Sequence, residues 1–236
     1  MADNEKSLFS TVKMLRIFFF LSIMVFAIVF AVYILMYAHR LGWTLGWIYV
    51  GIVAAAWMIN LICLGLWNPK LIERRMRLGK GTKTWDKVWI SLFTLAVIAI
   101  FVVVNIEKRE GVSSSPGAAW LLGFVIFFAG WTLVIWSMVV NPFFEKMVRI
   151  QAENEHRVID TGPYAYVRHP GYVGFVGCLI STPLLLSSAW AVMPVSITVL
   201  LLVIRTALED RTLRYELSGY EEYANRVGFR LIPRVW

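Results

Sequence analysis

An arginine and a histidine stand side by side in a polar stretch that precedes a long apolar block. Arg168 and His169 are followed by Pro170, which restricts His169 to an extended or turn conformation and is well tolerated in the first turn of a helix. A fixed cation, an imidazole and the N–H groups of a helix N-terminus suit an anionic group such as a carboxylate. The alternative is that Arg168 anchors to lipid phosphate and His169 only caps a turn.

Two adjacent acids, Glu209 and Asp210, stand in the polar C-terminal stretch, about one turn beyond the last apolar block. Arg205 precedes Glu209 by four residues, so these two side chains share one face of a helix. Acids close to a membrane are costly and often functional. The alternative is a solvated Arg205–Glu209 pair on an interfacial helix.

Three glycines at three-residue spacing, Gly171, Gly174 and Gly177, follow the arginine and histidine. They give a narrow helix face that serves close packing between membrane helices or, alternatively, close approach of a bound cofactor. No strand precedes them, so they are not a dinucleotide-binding fingerprint. The histidines and cysteines form no zinc-ligand cluster, and no metal site is expected.

The elements that position these residues are membrane helices. Hydrophobic residues make up 59% of the chain and charged residues 16%, against about 25% charged residues in ordinary soluble domains. A helix needs about 20 apolar residues to cross about 30 Å of hydrocarbon. Six blocks fit this length, some loosely: 14–38, 43–67, 88–104, 118–140, 172–186 and 190–204. We therefore expect an all-α, polytopic integral membrane protein with about six spans. Five is the alternative, because the last two blocks could form a tight hairpin that does not fully cross.

The net charge of +8 is distributed unevenly between the two sides of the predicted bundle. Alternate loops and tails carry twenty of the 23 lysines and arginines on one side and three on the other. Basic residues near span ends stay in the cytoplasm, so both termini are predicted to be cytoplasmic. The charge is thus explained by topology and membrane lipids, and no nucleic-acid partner is expected.

The chain changes character at residue 141. Residues 1–140 are apolar spans with short joins, whereas residues 141–236 contain a polar loop, an apolar hairpin and a polar tail. The hairpin returns the tail to the loop. A cytosolic helical site built jointly from loop and tail is therefore expected in the second part.

The residues of this second part resemble the isoprenylcysteine carboxyl methyltransferase and phospholipid methyltransferase family. The matching positions are Gly162-Pro163-Tyr164, Val167-Arg168-His169-Pro170-Gly171-Tyr172, Gly174, Arg205, Glu209-Asp210, Leu213, Gly219-Tyr220, Tyr223, Arg226-Val227 and Pro233. The upstream runs Asn141-Pro142-Phe143-Phe144 and Val148-Arg149-Ile150-Gln151 are similar to bacterial-type members. Residues 1–140 carry no family signature.

The resemblance implies a methyltransferase, embedded in the inner membrane of a bacterium, that uses S-adenosylmethionine and methylates a lipophilic acceptor. It implies Arg168 and Glu209 as catalytic residues. The implied cofactor-binding residues are Gly162, Tyr164, His169, Pro170, Tyr172, Gly174, Asp210 and Tyr223. Many family members have two glutamates where this chain has Glu209-Asp210, so the role of the shorter acid is open.

Several alternatives remain open from the sequence. Arg168 could hold the carboxylate of the cofactor or that of the acceptor, while Glu209 could favour the ammonium or sulfonium charge of the cofactor. The acceptor could be a prenylated cysteine carboxylate, a phospholipid amine, or a small apolar thiol or acid. Two other functions compete: a membrane reductase of the sterol-reductase type that uses NADPH, and a non-enzymatic transporter or partner subunit. The oligomeric state is not predicted.

Overall fold

The computed structural model describes residues 44–76, 83–112 and 117–236, and their regular structure is helical. The chain divides into two compact units, Met1–Leu78 and Gly79–Trp236. In the first unit, α1 (Thr44–Trp67) is followed by the short helix α2 (Pro69–Met76). Arg74 and Arg75 lie in the last turn of α2, where positive charges interact favourably with the helix dipole. The predicted span 14–38 lies outside the described residues.

The second unit holds the rest of the described helices. They are α3 (Thr84–Arg109), α4 (Ala118–Val140), α5 (Pro170–Leu186), α6 (Val192–Glu216) and α7 (Tyr220–Arg226). Two 3₁₀ turns, Ala152–Asn154 and Gly162–Ala165, interrupt the otherwise irregular segment between α4 and α5. The boundary expected at residue 140 falls inside this unit, because α4 and α5 pack along each other across it.

Four helices of the described part of the chain, α1, α3, α4 and α6, are long and apolar enough to cross a membrane. The prediction of an all-α polytopic membrane protein is confirmed. Helix α5 has 17 residues, which is about 25 Å at 1.5 Å per residue and short of a full crossing. Helix α6 continues well past residue 204, so Glu209 and Asp210 lie on the same helix as the last predicted span.

Glycine allows α4 and α5 to approach each other closely. A Cβ built on Gly174 would lie 2.4 Å from the carbonyl oxygen of Gly130, and one built on Gly130 would lie 2.6 Å from that of Gly174. Only residues without a side chain fit such a backbone contact. For Gly174 the structure therefore favours helix packing over approach to a cofactor.

The predicted hairpin between α5 and α6 is present, and its turn is tied to α3. Ser187 closes α5 in the left-handed conformation. The buried carboxylate of Glu107 on α3 accepts hydrogen bonds from the Ser188 hydroxyl and from the Ala189 N–H, the latter at 3.1 Å. Lys108 donates to the Ser187 carbonyl at 3.2 Å. These contacts fix one end of the helix bundle and leave the opposite end for the site.

Candidate active site

A cleft opens at the opposite end of the second unit, where α3 and α5 begin and α4 and α6 end. Its empty volume is about 820 Å³, counting space open to solvent. The walls come from the irregular segment 141–159, the start of α5, the last turns of α6, and α7. The aromatic lining is Phe143, Phe144, Tyr164, Tyr172, Tyr220 and Tyr223. The charged lining is Glu145, Arg149, Arg157, Arg168, Arg205 and Glu209.

Glu209 lines this cleft in the company of Tyr172. The Tyr172 hydroxyl donates a hydrogen bond to Oε2 of Glu209 at 2.5 Å. Glu209 is partly accessible to solvent. Among the described residues, Tyr172 is the hydrogen-bond donor to its carboxylate. Helix α5 thus fixes one oxygen of the acid while the group keeps its place on the cleft wall.

Asp210, the next residue, is fully buried and forms the centre of a charged cluster. It accepts hydrogen bonds from Arg168 Nε at 2.7 Å, Arg230 Nε at 2.8 Å, Tyr220 Oη at 3.0 Å and Arg214 Nε at 3.3 Å. One carboxylate therefore binds side chains from the loop before α5, the end of α6, the start of α7 and the C-terminal segment. These contacts saturate Asp210, which does not line the cleft.

The guanidinium nitrogens of Arg168 donate hydrogen bonds to other groups of the protein. Besides its contacts with Asp210, Nη1 donates to the carbonyls of Val227 at 2.6 Å and Ala224 at 3.3 Å. The backbone N–H groups of Arg168 and His169 donate to the carbonyls of Phe229 and Arg230 at 2.9 and 3.0 Å. Arg168 is 4% exposed, which does not fit an anchor to lipid phosphate.

Three buried tyrosines complete the connection between loop and tail. Tyr223 donates to the Tyr164 carbonyl at 2.8 Å, and Tyr164 donates to the Ser137 carbonyl at 3.3 Å. Burial raises the pKa of Tyr164, Tyr220 and Tyr223 above the ordinary value for a phenol. Their hydroxyls therefore stay protonated at neutral pH and remain hydrogen-bond donors.

The structure brings together most of the predicted site residues but separates a few from the cleft. The residues that line it are Tyr164, Arg168, His169, Tyr172, Glu209 and Tyr223. Gly162, Pro170, Gly174 and Asp210 do not line the cleft. Gly162 starts a 3₁₀ turn at φ 59°, where glycine is favoured, Pro170 begins α5, and Gly174 faces α4.

The segment 141–159 belongs to the loop that was expected to help form the site, but none of its residues was predicted as a site residue. In the structure it supplies a large part of the cleft wall. Phe143 stacks on His156 with ring centroids 4.5 Å apart, and both line the cleft. Arg149 bridges Glu145 at 2.8 Å and Glu153 at 2.5 Å, and its hydrogen bonds with Glu145 raise its pKa. The paired phenylalanines after Asn141 in an otherwise polar loop were the signal that could have indicated a wall.

A family model and several known proteins are similar to part of this chain. Residues 121–215 match the isoprenylcysteine carboxyl methyltransferase family. The chain is 29% identical over 116 residues to the protein-S-isoprenylcysteine O-methyltransferase of Saccharomyces cerevisiae, covering 46% of each chain. It is 34% identical over 91 residues to the probable protein-S-isoprenylcysteine O-methyltransferase of Oryza sativa subsp. indica, covering 36% of this chain and 45% of the relative.

The chain is also similar to a relative of a second kind. Methanethiol S-methyltransferase 1 of Bradyrhizobium diazoefficiens is 32% identical over 116 residues, covering 45% of this chain and 39% of the relative. The chain thus spans less than half the length of these curated relatives. The resemblance predicted from the loop and tail motifs is confirmed.

Proposed function

We propose that this chain, whose residues 121–215 match the isoprenylcysteine carboxyl methyltransferase family, is a membrane-embedded methyltransferase that uses S-adenosylmethionine and a lipophilic acceptor. The observation that carries the proposal is the cleft at the end of the helix bundle. There the Glu209 carboxylate lies among aromatic side chains, at a place where loop and tail meet. The relatives with methyltransferase names support it.

The lining residues fit the chemistry of this cofactor. Bound S-adenosylmethionine supplies a methyl group carried on a positively charged sulfur. A carboxylate attracts such a cation, and aromatic faces such as those of Phe144, Tyr172 and Tyr220 stabilise it further. Glu209 and the aromatic residues of the wall would hold the cofactor in the cleft.

The remaining site residues would act by positioning. Tyr172 holds one oxygen of Glu209 through its short hydrogen bond. Arg168, bound to Asp210 and to two carbonyls of the tail, would keep the two halves of the cleft together. Tyr164, His169 and Tyr223 would contact the cofactor from the wall, while Gly162, Pro170, Gly174 and Asp210 would shape the backbone behind it. Much of the rate of a bimolecular transfer can come from such alignment.

The acceptor would reach the cleft from the membrane side. The cleft lies at one end of helices that are apolar enough to cross a bilayer, so a lipophilic molecule could extend along them. We propose that this end faces the cytoplasm of a bacterium, with the protein in the inner membrane and both termini cytoplasmic. The uneven distribution of lysine and arginine supports this orientation.

A labelled-methyl assay tests the proposed function. Detergent-purified protein is incubated with methyl-labelled S-adenosylmethionine and, in separate arms, a total lipid extract, a prenylated cysteine and a small apolar thiol. Label is expected in an organic-extractable product with the parent chain, and the rate should fall at least about tenfold in Glu209→Gln. Glu222→Gln, which changes an exposed acid on α7, is the matched control. Equal rates for both variants would remove Glu209 from the site, and no labelled product in any arm would count against the function.

A further inference from the structure

The backbone of one residue in the cleft wall is held by the first turn of α3. The Val148 N–H donates to Oδ2 of Asp86 at 2.7 Å, and the Val148 carbonyl accepts from the Lys83 N–H at 3.4 Å. Lys83 also reaches Glu216 at the end of α6, with Nζ 2.7 Å from Oε1. Val148 itself lines the cleft. The start of α3 therefore joins the irregular wall to the helix that carries Glu209.

A buried ion pair strengthens this junction. Asp86 is 0% exposed, and its Oδ1 lies 3.1 Å from Nε of Arg205 on α6 without the angle of a hydrogen bond. Its Oδ2 accepts a hydrogen bond from Nη2 of Arg205 at 3.4 Å. Nη2 of Arg205 donates to the Lys146 carbonyl at 2.6 Å. Together Asp86 and Arg205 hold the backbone of residues 146–148 from two sides. A buried charge pair of this kind is costly unless both partners are present.

The same arginine connects the junction to the acid in the cleft. The Arg205 guanidinium carbon lies 4.2 Å from the Trp89 ring centroid and 5.8 Å from that of Tyr172. Tyr172 in turn donates its hydroxyl to Glu209. A continuous set of contacts therefore runs from Asp86 through Arg205 and Tyr172 to Glu209.

We propose that Asp86 is a positioning residue for the cleft, which fixes Arg205 and the wall at residues 146–148 and so holds Tyr172 and Glu209 in place. Asp86 lies outside residues 121–215, in a part of the chain where the sequence showed no family signature. The consequence for methyl transfer rests on the proposed function, whereas the structural effect on residues 146–148 does not require a ligand.

Amide hydrogen exchange with a reciprocal control tests this inference. Asp86→Asn is compared with Glu107→Gln, which changes the other buried acid of α3, 21 residues or about 30 Å further along the helix. Asp86→Asn should speed exchange in peptides covering residues 146–148 by about tenfold and leave residues 187–190 unchanged. Glu107→Gln should speed exchange at residues 187–190 and leave 146–148 unchanged. The initial rate of methyl transfer should fall in Asp86→Asn alone.

Two outcomes would overturn the inference: unchanged exchange at residues 146–148 in Asp86→Asn, or equal acceleration at both places in both variants. If Asp86→Asn does not fold, the double variant Asp86→Asn/Arg205→Gln decides, because it leaves no unpaired buried charge. It should fold and show fast exchange at 146–148, and slow exchange there would contradict the inference. An inactive parent chain would contradict the proposed function but would leave the exchange result in force.

Discussion

The Nε atom of Arg168 lies 2.7 Å from Oδ1 of Asp210, and both side chains are almost completely buried. The pair joins the loop before α5 to α6, through two residues that are 42 positions apart in the chain. Arg214 and Arg230 bind the same carboxylate, so Asp210 forms ion pairs with three arginines at once. The contact thus holds together the two polar segments that enclose the cleft.

Removing the charge of Asp210 should destabilise the protein strongly. We expect Asp210→Asn to lower the free energy of unfolding by about 3–5 kcal/mol, because Arg168 would be left buried without its partner. The control is Asp160→Asn, whose ion pair with Arg226 is exposed and should contribute about 0–1 kcal/mol. Thermal or denaturant unfolding in detergent measures both. Similar small effects in the two variants would mean that the Asp210 cluster does not hold loop and tail together.

Glu209 should distinguish the methyl donor from its product. The donor carries a positive sulfur, whereas S-adenosylhomocysteine has a neutral thioether at the same place. A carboxylate in the cleft favours the charged ligand, so Glu209→Gln should weaken binding of the donor about tenfold and binding of the product by less. Equilibrium titration of both ligands gives the ratio. If both lose affinity equally, Glu209 does not interact with the sulfonium charge.

Gly174 should be intolerant of even one methyl group. In Gly174→Ala the new Cβ would meet the Gly130 carbonyl oxygen at 2.4 Å and Val134 Cγ2 at 2.7 Å, and the backbone oxygen cannot move aside. Overpacking of this kind costs about 1–3 kcal/mol of stability. Gly177→Ala, on the same helix, would place its Cβ 3.5 Å from the nearest atom, so it serves as the matched control. A loss of stability no larger in Gly174→Ala than in Gly177→Ala would contradict close packing of α4 against α5 at Gly174.

The buried tyrosines predict a loss of stability in alkaline solution. The folded state raises the pKa of Tyr164, Tyr220 and Tyr223, so these phenols ionise first in the unfolded chain. Their contribution is fully present below the unfolded value of about 10 and is lost as the pH rises above it. Tyr223→Phe should therefore reduce the steepness of the alkaline decline in the free energy of unfolding. Tyr215→Phe, which changes a tyrosine that is 78% exposed, should leave the decline unchanged. An unaltered slope in Tyr223→Phe would contradict the prediction.

The membrane helices could be predicted because length and apolar composition are local properties of the chain. The blocks 43–67 and 118–140 coincide with α1 and α4 to within a residue. The apolar blocks 88–104 and 190–204 cover only part of α3 and α6, because both helices extend into charged residues. Asp86 in the first turn of α3 and Arg205 on α6 form an ion pair that the sequence did not indicate.

The site could be predicted in part, because its motifs are also local features of the sequence. The motifs located Arg168, Tyr172 and Glu209 near one another, and the structure brings all three to one cleft. The saturation of Arg168 by Asp210 and by tail carbonyls depends on tertiary contacts, which spacing does not encode. The spacing of residues also does not indicate the path of the irregular segment 141–159, because side chains from distant helices hold its backbone.

Equilibrium binding of S-adenosylmethionine to the detergent-purified protein, with NADPH titrated in parallel, tests the proposed function most directly. We predict saturable binding of S-adenosylmethionine that Glu209→Gln weakens and Glu222→Gln does not, and no saturable binding of NADPH. Binding of NADPH without binding of S-adenosylmethionine would contradict the proposed function.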